Sequence, residues 1–112
     1  MDIPELADLI WLFEGDPEPQ HDDVGWPIGL HAFHLVRGAT AVLFSLDPLA
    51  GEAYVSLYAD GQEIATVSRL RPLGRLSVES DGPRYEGLTL WFRDENRAPV
   101  RLQTKPVIRM TW

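Results

Sequence analysis

From residue 28 to its end, the chain alternates between short apolar-rich runs and clusters of turn residues, and this pattern restricts the fold more than any other feature. The clusters contain Gly, Pro, Asp and Asn, and they leave only a few residues between neighbouring runs. Such short connections join antiparallel strands, because a parallel crossover needs about a dozen residues or more. The predicted strands span residues 28 to 37, 41 to 47, 53 to 59, 63 to 69, 75 to 80, 86 to 93, 99 to 104 and 107 to 111.

Most of these runs place apolar side chains at every second position, which is the period of a strand with one buried face. The residues predicted to face the core are Val42, Phe44 and Leu46; Ala53, Val55 and Leu57; Leu76 and Val78; Leu88, Leu90 and Phe92; and Ile108, Met110 and Trp112. Residues 28 to 36 are apolar on both faces, as expected of a central strand or of one covered by a helix.

The capping residues and apolar spacing within residues 1 to 14 predict a short helix over residues 3 to 14. Asp2 is placed to cap its start, with Glu5 three residues later as in a capping box, and Gly15 is placed to end it in a left-handed conformation. The apolar stripe at helical spacing is Ile3, Leu6, Ile10 and Phe13. The unbroken apolar run from residue 9 to 13 leaves a buried strand as the alternative.

Residues 15 to 27 are rich in proline and acidic residues and predict an exposed loop. The whole chain of 112 residues is in the size range of one domain. We therefore expect a single, mainly β domain over residues 1 to 112. The expected architecture is an antiparallel β-sandwich or a partly closed barrel of about eight short strands, with a short N-terminal α-helix.

The net charge of −7 is unevenly distributed along the chain. Residues 1 to 23 contain eight acidic and no basic residues, residues 24 to 68 carry −3, and residues 69 to 112 carry +4 from nine basic and five acidic residues. Two interpretations follow. Either the acidic N-terminal segment packs across the C-terminal strands that carry Arg93, Arg97, Arg101 and Arg109, or two chains meet head to tail.

Composition excludes several classes of function. The chain has no cysteine, which removes disulfides, thiolate metal sites and a cysteine nucleophile. An acidic chain lacks the basic footprint of a nucleic-acid binder. The acidic start and the short apolar run near it resemble neither a signal peptide nor a membrane span, so we expect a cytoplasmic protein that does not contact membranes. Nine of the ten basic residues are arginine, a bias typical of a bacterial source.

No metal site is expected. His31 and His34 lie three residues apart on a strand, so their side chains point to opposite faces. Glu14, Asp16 and Glu18 alternate as in a calcium loop, but the glycine and the glutamate that such a loop requires are missing.

No catalytic residue and no cofactor are nominated either. None of the serines stands in a nucleophile elbow, no glycine-rich loop opens a helix, and no motif selects a pair of carboxylates.

Four residues are candidates for binding: Tyr54, Tyr58, Trp91 and Arg93. Alternation turns them away from the predicted core, and Tyr, Trp and Arg are enriched in protein interfaces. The competing interpretation is that a helix or a second sheet covers them. The first hypothesis for function is a non-enzymatic domain that acts by protein–protein interaction, as a bacterial accessory protein or a toxin-neutralising partner does, or that forms a homodimer. A carbohydrate- or small-ligand-binding module, with sugar as a possible ligand, and a small hydrolase without a recognisable motif remain the alternatives.

Overall fold

The computed structural model describes residues 1–19, 26, 28–81 and 84–111. Within these ranges the chain forms one helix and two antiparallel sheets, with strand order β1-β2-β3-β4-β5 and β6-β7-β8-β9. The elements are α1 (Leu6–Phe13), β1 (Glu18–Pro19), β2 (His31–Arg37), β3 (Thr40–Asp47), β4 (Glu52–Ala59), β5 (Gln62–Leu70), β6 (Leu73–Asp81), β7 (Tyr85–Phe92), β8 (Val100–Lys105) and β9 (Arg109–Thr111). The expected mainly β class is confirmed, and of the two expected architectures the β-sandwich is observed.

All eight predicted strands are present, with ends displaced by at most three residues. The additional strand β1 lies in the segment predicted as loop, where Glu18 pairs with Ala32 and Pro19 with His31. A two-residue strand is too short to leave an alternating pattern in the sequence. The rest of the predicted loop, residues 20–25 and 27, falls outside the described residues.

The two sheets share one core, which their inward-facing apolar residues fill. The alternation predicted from the sequence holds on every strand where it was identified, although Leu57, Val78, Ile108 and Met110 are only partly buried at the margin. Trp112, also predicted to face the core, lies outside the described residues. On these strands the hydrophobic pattern therefore predicted correctly which side is buried.

The start of the helix differs from the prediction. Glu5 stands at the N-cap, and Asp2 instead pairs in parallel with Arg75 on the edge of β6. The Asp2 N–H donates to the Gly74 carbonyl at 3.0 Å, and the Asp2 carbonyl accepts from the Leu76 N–H at 2.8 Å. This pairing provides hydrogen-bond partners for the backbone N–H and carbonyl of Asp2, so the chain stays extended at Asp2. The helix begins at Leu6.

The left-handed residue that ends the helix is Glu14, with φ of 59°, and not Gly15. The buried stripe also differs from the predicted one, because Leu9, Leu12 and Phe13 are fully buried whereas Ile10 is only half-buried. Leu9, Leu12 and Phe13 have the i, i+3, i+4 spacing of one helix face. The helix contacts β2 and β6, one strand from each sheet.

Arg37 connects the helix to both sheets. From its position at the end of β2, its Nε donates to the Thr104 carbonyl of β8 at 2.9 Å. Its Nη1 donates to both carboxylate oxygens of Glu14, at 3.2 and 3.0 Å. Arg37 is therefore held by its contacts with Glu14, at the end of the helix, and with Thr104 on β8.

Gly87 permits a close approach on the outer face of the four-stranded sheet. A Cβ atom at this position would lie 2.6 Å from the Tyr85 hydroxyl oxygen and 2.9 Å from the Leu102 carbonyl oxygen. The Tyr85 side chain thus lies over Gly87, in the space that the side chain of any other residue at position 87 would occupy.

We expect Phe13→Ala to lower the free energy of unfolding by about 3 to 5 kcal/mol, because it removes the ring that the helix inserts into the core. Chemical denaturation measures this change. Trp11→Ala is the control, since Trp11 is on the same helix and 53% exposed, and it should cost much less. Equal losses in the two variants would show that the helix does not depend on its buried face.

We expect Gly87→Ala to destabilise the domain by about 1 to 3 kcal/mol, because the new methyl group clashes with the fixed Leu102 carbonyl and with Tyr85. Gly15→Ala is the control, since no other atom lies within 4 Å of its Cβ position. Thermal melting compares the two. An unchanged melting temperature for Gly87→Ala would contradict the packing of Tyr85 described here.

Candidate functional site

The four predicted binding residues do not share one surface. Tyr54 and Tyr58 lie on β4 in the five-stranded sheet, Trp91 lies on β7 in the four-stranded sheet, and Arg93 follows the end of β7. Outward-facing residues of the two sheets of a sandwich point in opposite directions. Tyr54 and Tyr58 therefore lie on one face and Trp91 on the other, because the chain passes from one sheet to the other between β5 and β6. Alternation within a strand does not reveal that crossing.

We call the outer side of β2, β3 and β4 the tyrosine face, which comprises His34, Val36, Ala41, Leu43, Tyr54 and Tyr58. Antiparallel register aligns Val36, Ala41 and Tyr58 across the three strands, and His34 aligns with Leu43. The side chains surround a shallow hollow of about 460 Å³, lined mainly by apolar atoms. Tyr58 contributes to the hollow, whereas the Tyr54 hydroxyl donates to the Glu52 carboxylate at 3.3 Å nearer the other end of the strand.

Large apolar side chains are exposed on this side of the molecule. Val36, at the β2 end of the row that it forms with Ala41 and Tyr58, is 67% exposed. Leu43, Ala41 and Tyr58 are partly exposed around Val36. Neither Val36 nor Leu43 is among the binding residues predicted from the sequence. The signal for Val36 was the apolar character of both faces of the run from residue 28 to 36, which was interpreted as burial, and Leu43 lies outside that run on the next strand.

Acidic residues border the hollow of the tyrosine face. Asp60 lines it from the turn between β4 and β5. Glu63 stands opposite Tyr58 in the register with β5, is exposed, and accepts a hydrogen bond from the Thr66 hydroxyl. Arg37 is the only basic residue before residue 69, and its guanidinium is bonded to Glu14 and Thr104. The two described acidic residues at the hollow, Asp60 and Glu63, therefore give its border a negative charge.

The outer side of the four-stranded sheet has a different chemistry. We call it the arginine face, after Arg75, Arg101 and Arg109, which it presents together with Trp91 and Tyr85. The Trp91 indole N–H donates to the Ser77 hydroxyl at 3.1 Å, and the Arg75 guanidinium lies 4.8 Å from the centre of the Trp91 ring. One side of the indole is thus occupied by a cation, which leaves it poorly suited to stack on a sugar.

Arg93 lies at the margin between the two sheets. Its side chain is exposed and approaches the backbone at Gly51 and Gly74. Its N–H donates to the Pro72 carbonyl at 2.9 Å. Arg93 therefore belongs to neither of the two faces.

The two histidines of β2 point to opposite sides of the sheet, as their spacing predicts. His31 is buried, and its Nε2 donates to the Ile28 carbonyl at 2.8 Å, whereas His34 is exposed on the tyrosine face. Among the described residues, no group of three or more His, Asp or Glu side chains is arranged to hold a metal ion. Within the same ranges, no helix has the length and apolar character that a membrane crossing requires.

The expected contact between the acidic N-terminal segment and the C-terminal arginines is not seen among the described residues. The ion pairs within the described ranges join Arg37 to Glu14, Arg71 to Glu52 and Lys105 to Glu86. Arg97 donates to the Arg71 carbonyl at 2.8 Å and lies over the Phe92 ring. The acidic residues Asp22 and Asp23 of this segment lie outside the described ranges. Within the described part of the chain, the arginines of β8 and β9 are not neutralised by the N-terminus.

Comparison with known proteins identifies the fold. No protein family model and no curated protein sequence matches this chain. Among solved structures, it is similar to a chain of a contact-dependent growth inhibition toxin–immunity protein complex from Klebsiella pneumoniae 342. The TM-score is 0.79, with 15% sequence identity, over 98% of this chain and 93% of that chain. At this level of identity the likeness shows a shared fold over nearly the full length of both chains.

Proposed function

We propose that this chain is a protein-binding domain and that its partner docks on the tyrosine face. The observation that carries the proposal is the apolar surface around Val36, Leu43 and Tyr58, which is exposed on the outside of a sheet whose inner side already fills the core. A contiguous apolar patch with a polar border is typical of a protein interface. Tyr58 supplies the kind of aromatic side chain that contributes most to such interfaces.

The acidic border favours a basic partner. Asp60 and Glu63 flank the apolar centre, and residues 1 to 68 contain a single basic residue that is already engaged. Charge complementarity of this kind accelerates association and disfavours the wrong partners. It also weighs against a homodimer through this face, because a two-fold interface is self-complementary and both copies would bring the same acidic border to it.

The fold likeness favours a toxic protein as the partner. A chain of the same fold occurs in a complex between a growth-inhibition toxin and its immunity protein, and the similarity extends over the whole described domain. Neutralising such a toxin requires only a stable complex, which agrees with a domain that offers a binding face and no recognised catalytic motif. A bacterial, cytoplasmic setting is part of the same proposal.

The two alternatives from the sequence receive less support. A sugar-binding module needs an aromatic ring open to the ligand, and the Trp91 ring already carries Arg75 on one side. A hydrolase needs titratable groups converging in a pocket, whereas the hollow of the tyrosine face is open and lined mainly by apolar atoms.

We expect Val36→Lys to weaken partner binding by about tenfold or more, because it places a cation in the lining of an apolar site that faces a basic protein. The matched control is Val107→Lys, the same change at a residue that is 48% exposed outside the tyrosine face. Both variants should melt close to the parent, since surface substitutions typically change stability by about 0.5 kcal/mol or less.

The measurement is affinity capture from a lysate of the source organism with the parent chain and both variants, followed by the affinity of the purified captured protein. We expect one basic protein that the parent and Val107→Lys retain and Val36→Lys loses. Expression of that protein alone should arrest growth, and co-expression with this chain should restore it. Failure to retain any protein, or equal retention by all three, would contradict docking on the tyrosine face.

A further inference from the structure

The arginine face contains a second hollow, which is independent of the tyrosine face. Register aligns two rows across the four-stranded sheet: Ser77, Thr89, Arg101 and Thr111 in the first, and Glu79, Gly87, Gln103 and Arg109 in the second. Because Gly87 has no side chain, the second row has a gap over which Tyr85 lies. The resulting hollow measures about 340 Å³ and is lined by Glu79, Tyr85, Arg101, Gln103, Arg109 and Thr111.

The two arginines of this hollow are available to a ligand. Among the described residues, neither Arg101 nor Arg109 takes part in an ion pair, whereas the neighbouring Lys105 is paired with Glu86 at 3.5 Å. The carboxylate of Glu79 accepts a hydrogen bond from the Thr89 hydroxyl at 2.7 Å. Both arginine side chains are exposed on the outer side of the sheet. Two guanidinium groups without an ion-pair partner, beside the Gln103 amide and the Thr111 hydroxyl, form a site for anionic groups in a hollow that they share with the Glu79 carboxylate.

We propose that the arginine face binds an acidic segment of a protein chain in extended conformation, with Arg101 and Arg109 each engaging one carboxylate. The planar guanidinium matches a carboxylate with two parallel hydrogen bonds. Across the β8–β9 pair, Arg101 is opposite Thr111. Arg109 lies two residues before Thr111 on β9, so Arg101 and Arg109 are diagonal neighbours at a separation of about 7 to 8 Å. Alternate residues of an extended chain are about 6.5 to 7 Å apart. Acidic residues at every second position therefore match this pair.

Charge selects a protein segment over a nucleic acid. The chain carries −7 overall, so a continuous polyanion is repelled at long range. Glu79 lies within the hollow itself, and a nucleic acid strand, which carries a charge on every nucleotide, has no neutral residue to place opposite it. A peptide with separated carboxylates places its neutral residues opposite Glu79 and its acidic residues opposite Arg101 and Arg109.

The test uses a fluorescein-labelled peptide of alternating Ser and Glu, with a peptide of alternating Ser and Gln as the uncharged control. Fluorescence anisotropy at low salt measures binding to the full chain. We expect the Glu peptide to bind and the Gln peptide not to bind. Arg101→Ala and Arg109→Ala should each weaken binding by about tenfold or more, as expected for loss of a charge-assisted hydrogen-bonded pair.

Arg93→Ala is the matched control, because it removes the same charge from an exposed residue outside the hollow. It should weaken binding by less than about twofold. If Arg101→Ala fails to fold, Arg101→Lys replaces it and should show a partial loss, because lysine keeps the charge but not the paired hydrogen bonds. Absence of peptide binding, an equal effect of Arg93→Ala, or tighter binding of a ten-residue thymidine oligonucleotide than of the Glu peptide would overturn the proposal.

Discussion

The structure depends on the apolar layer between the two sheets, at whose centre the helix inserts one aromatic ring. Phe13 stacks on Phe44 with ring centres 5.5 Å apart and lies 5.2 Å from Phe33. All three are fully buried. The chain has no cysteine, so no disulfide supplements this burial, and the hydrophobic effect is the main term that holds the sandwich together. The helix is therefore an integral part of the core, and through β2 and β6 it contacts both sheets.

The inner faces of both sheets are buried in the core. Under the proposed function, the outer faces therefore determine what the domain recognises. They differ sharply in composition. The five-stranded sheet presents Val36, Leu43 and Tyr58 with an acidic border, and the four-stranded sheet presents Arg101 and Arg109 around a glycine gap. A residue change on either face leaves the core intact, so each face can acquire its own ligand. The fold shared with a chain of a toxin–immunity complex is compatible with many such faces.

Sequence periodicity was sufficient to predict strands β2 to β9 and the core residues of the sheets where alternation was identified, because both depend on local alternation and on turn residues. It could not predict the pairing of Asp2 with β6, since that pairing joins the start of the chain to residue 75 through backbone groups alone. It also could not separate Tyr54 and Tyr58 from Trp91, because sheet membership depends on long-range packing. The outward direction predicted for these three residues was correct, and the structure places them on two different surfaces. Val36 and Leu43 were passed over because an apolar residue that faces a partner and one that faces the core look alike in sequence.

The most direct test of the tyrosine face as a binding surface is methyl NMR of the isotopically labelled chain, titrated with its captured partner. Assigned methyl resonances report separately on Val36 and Leu43 at the hollow and on Val107, which lies in the turn between β8 and β9. We expect the Val36 and Leu43 methyl groups to shift on binding while Val107 remains at its free position. Shifts at Val107 with Val36 and Leu43 unchanged would place the partner elsewhere and contradict the central claim.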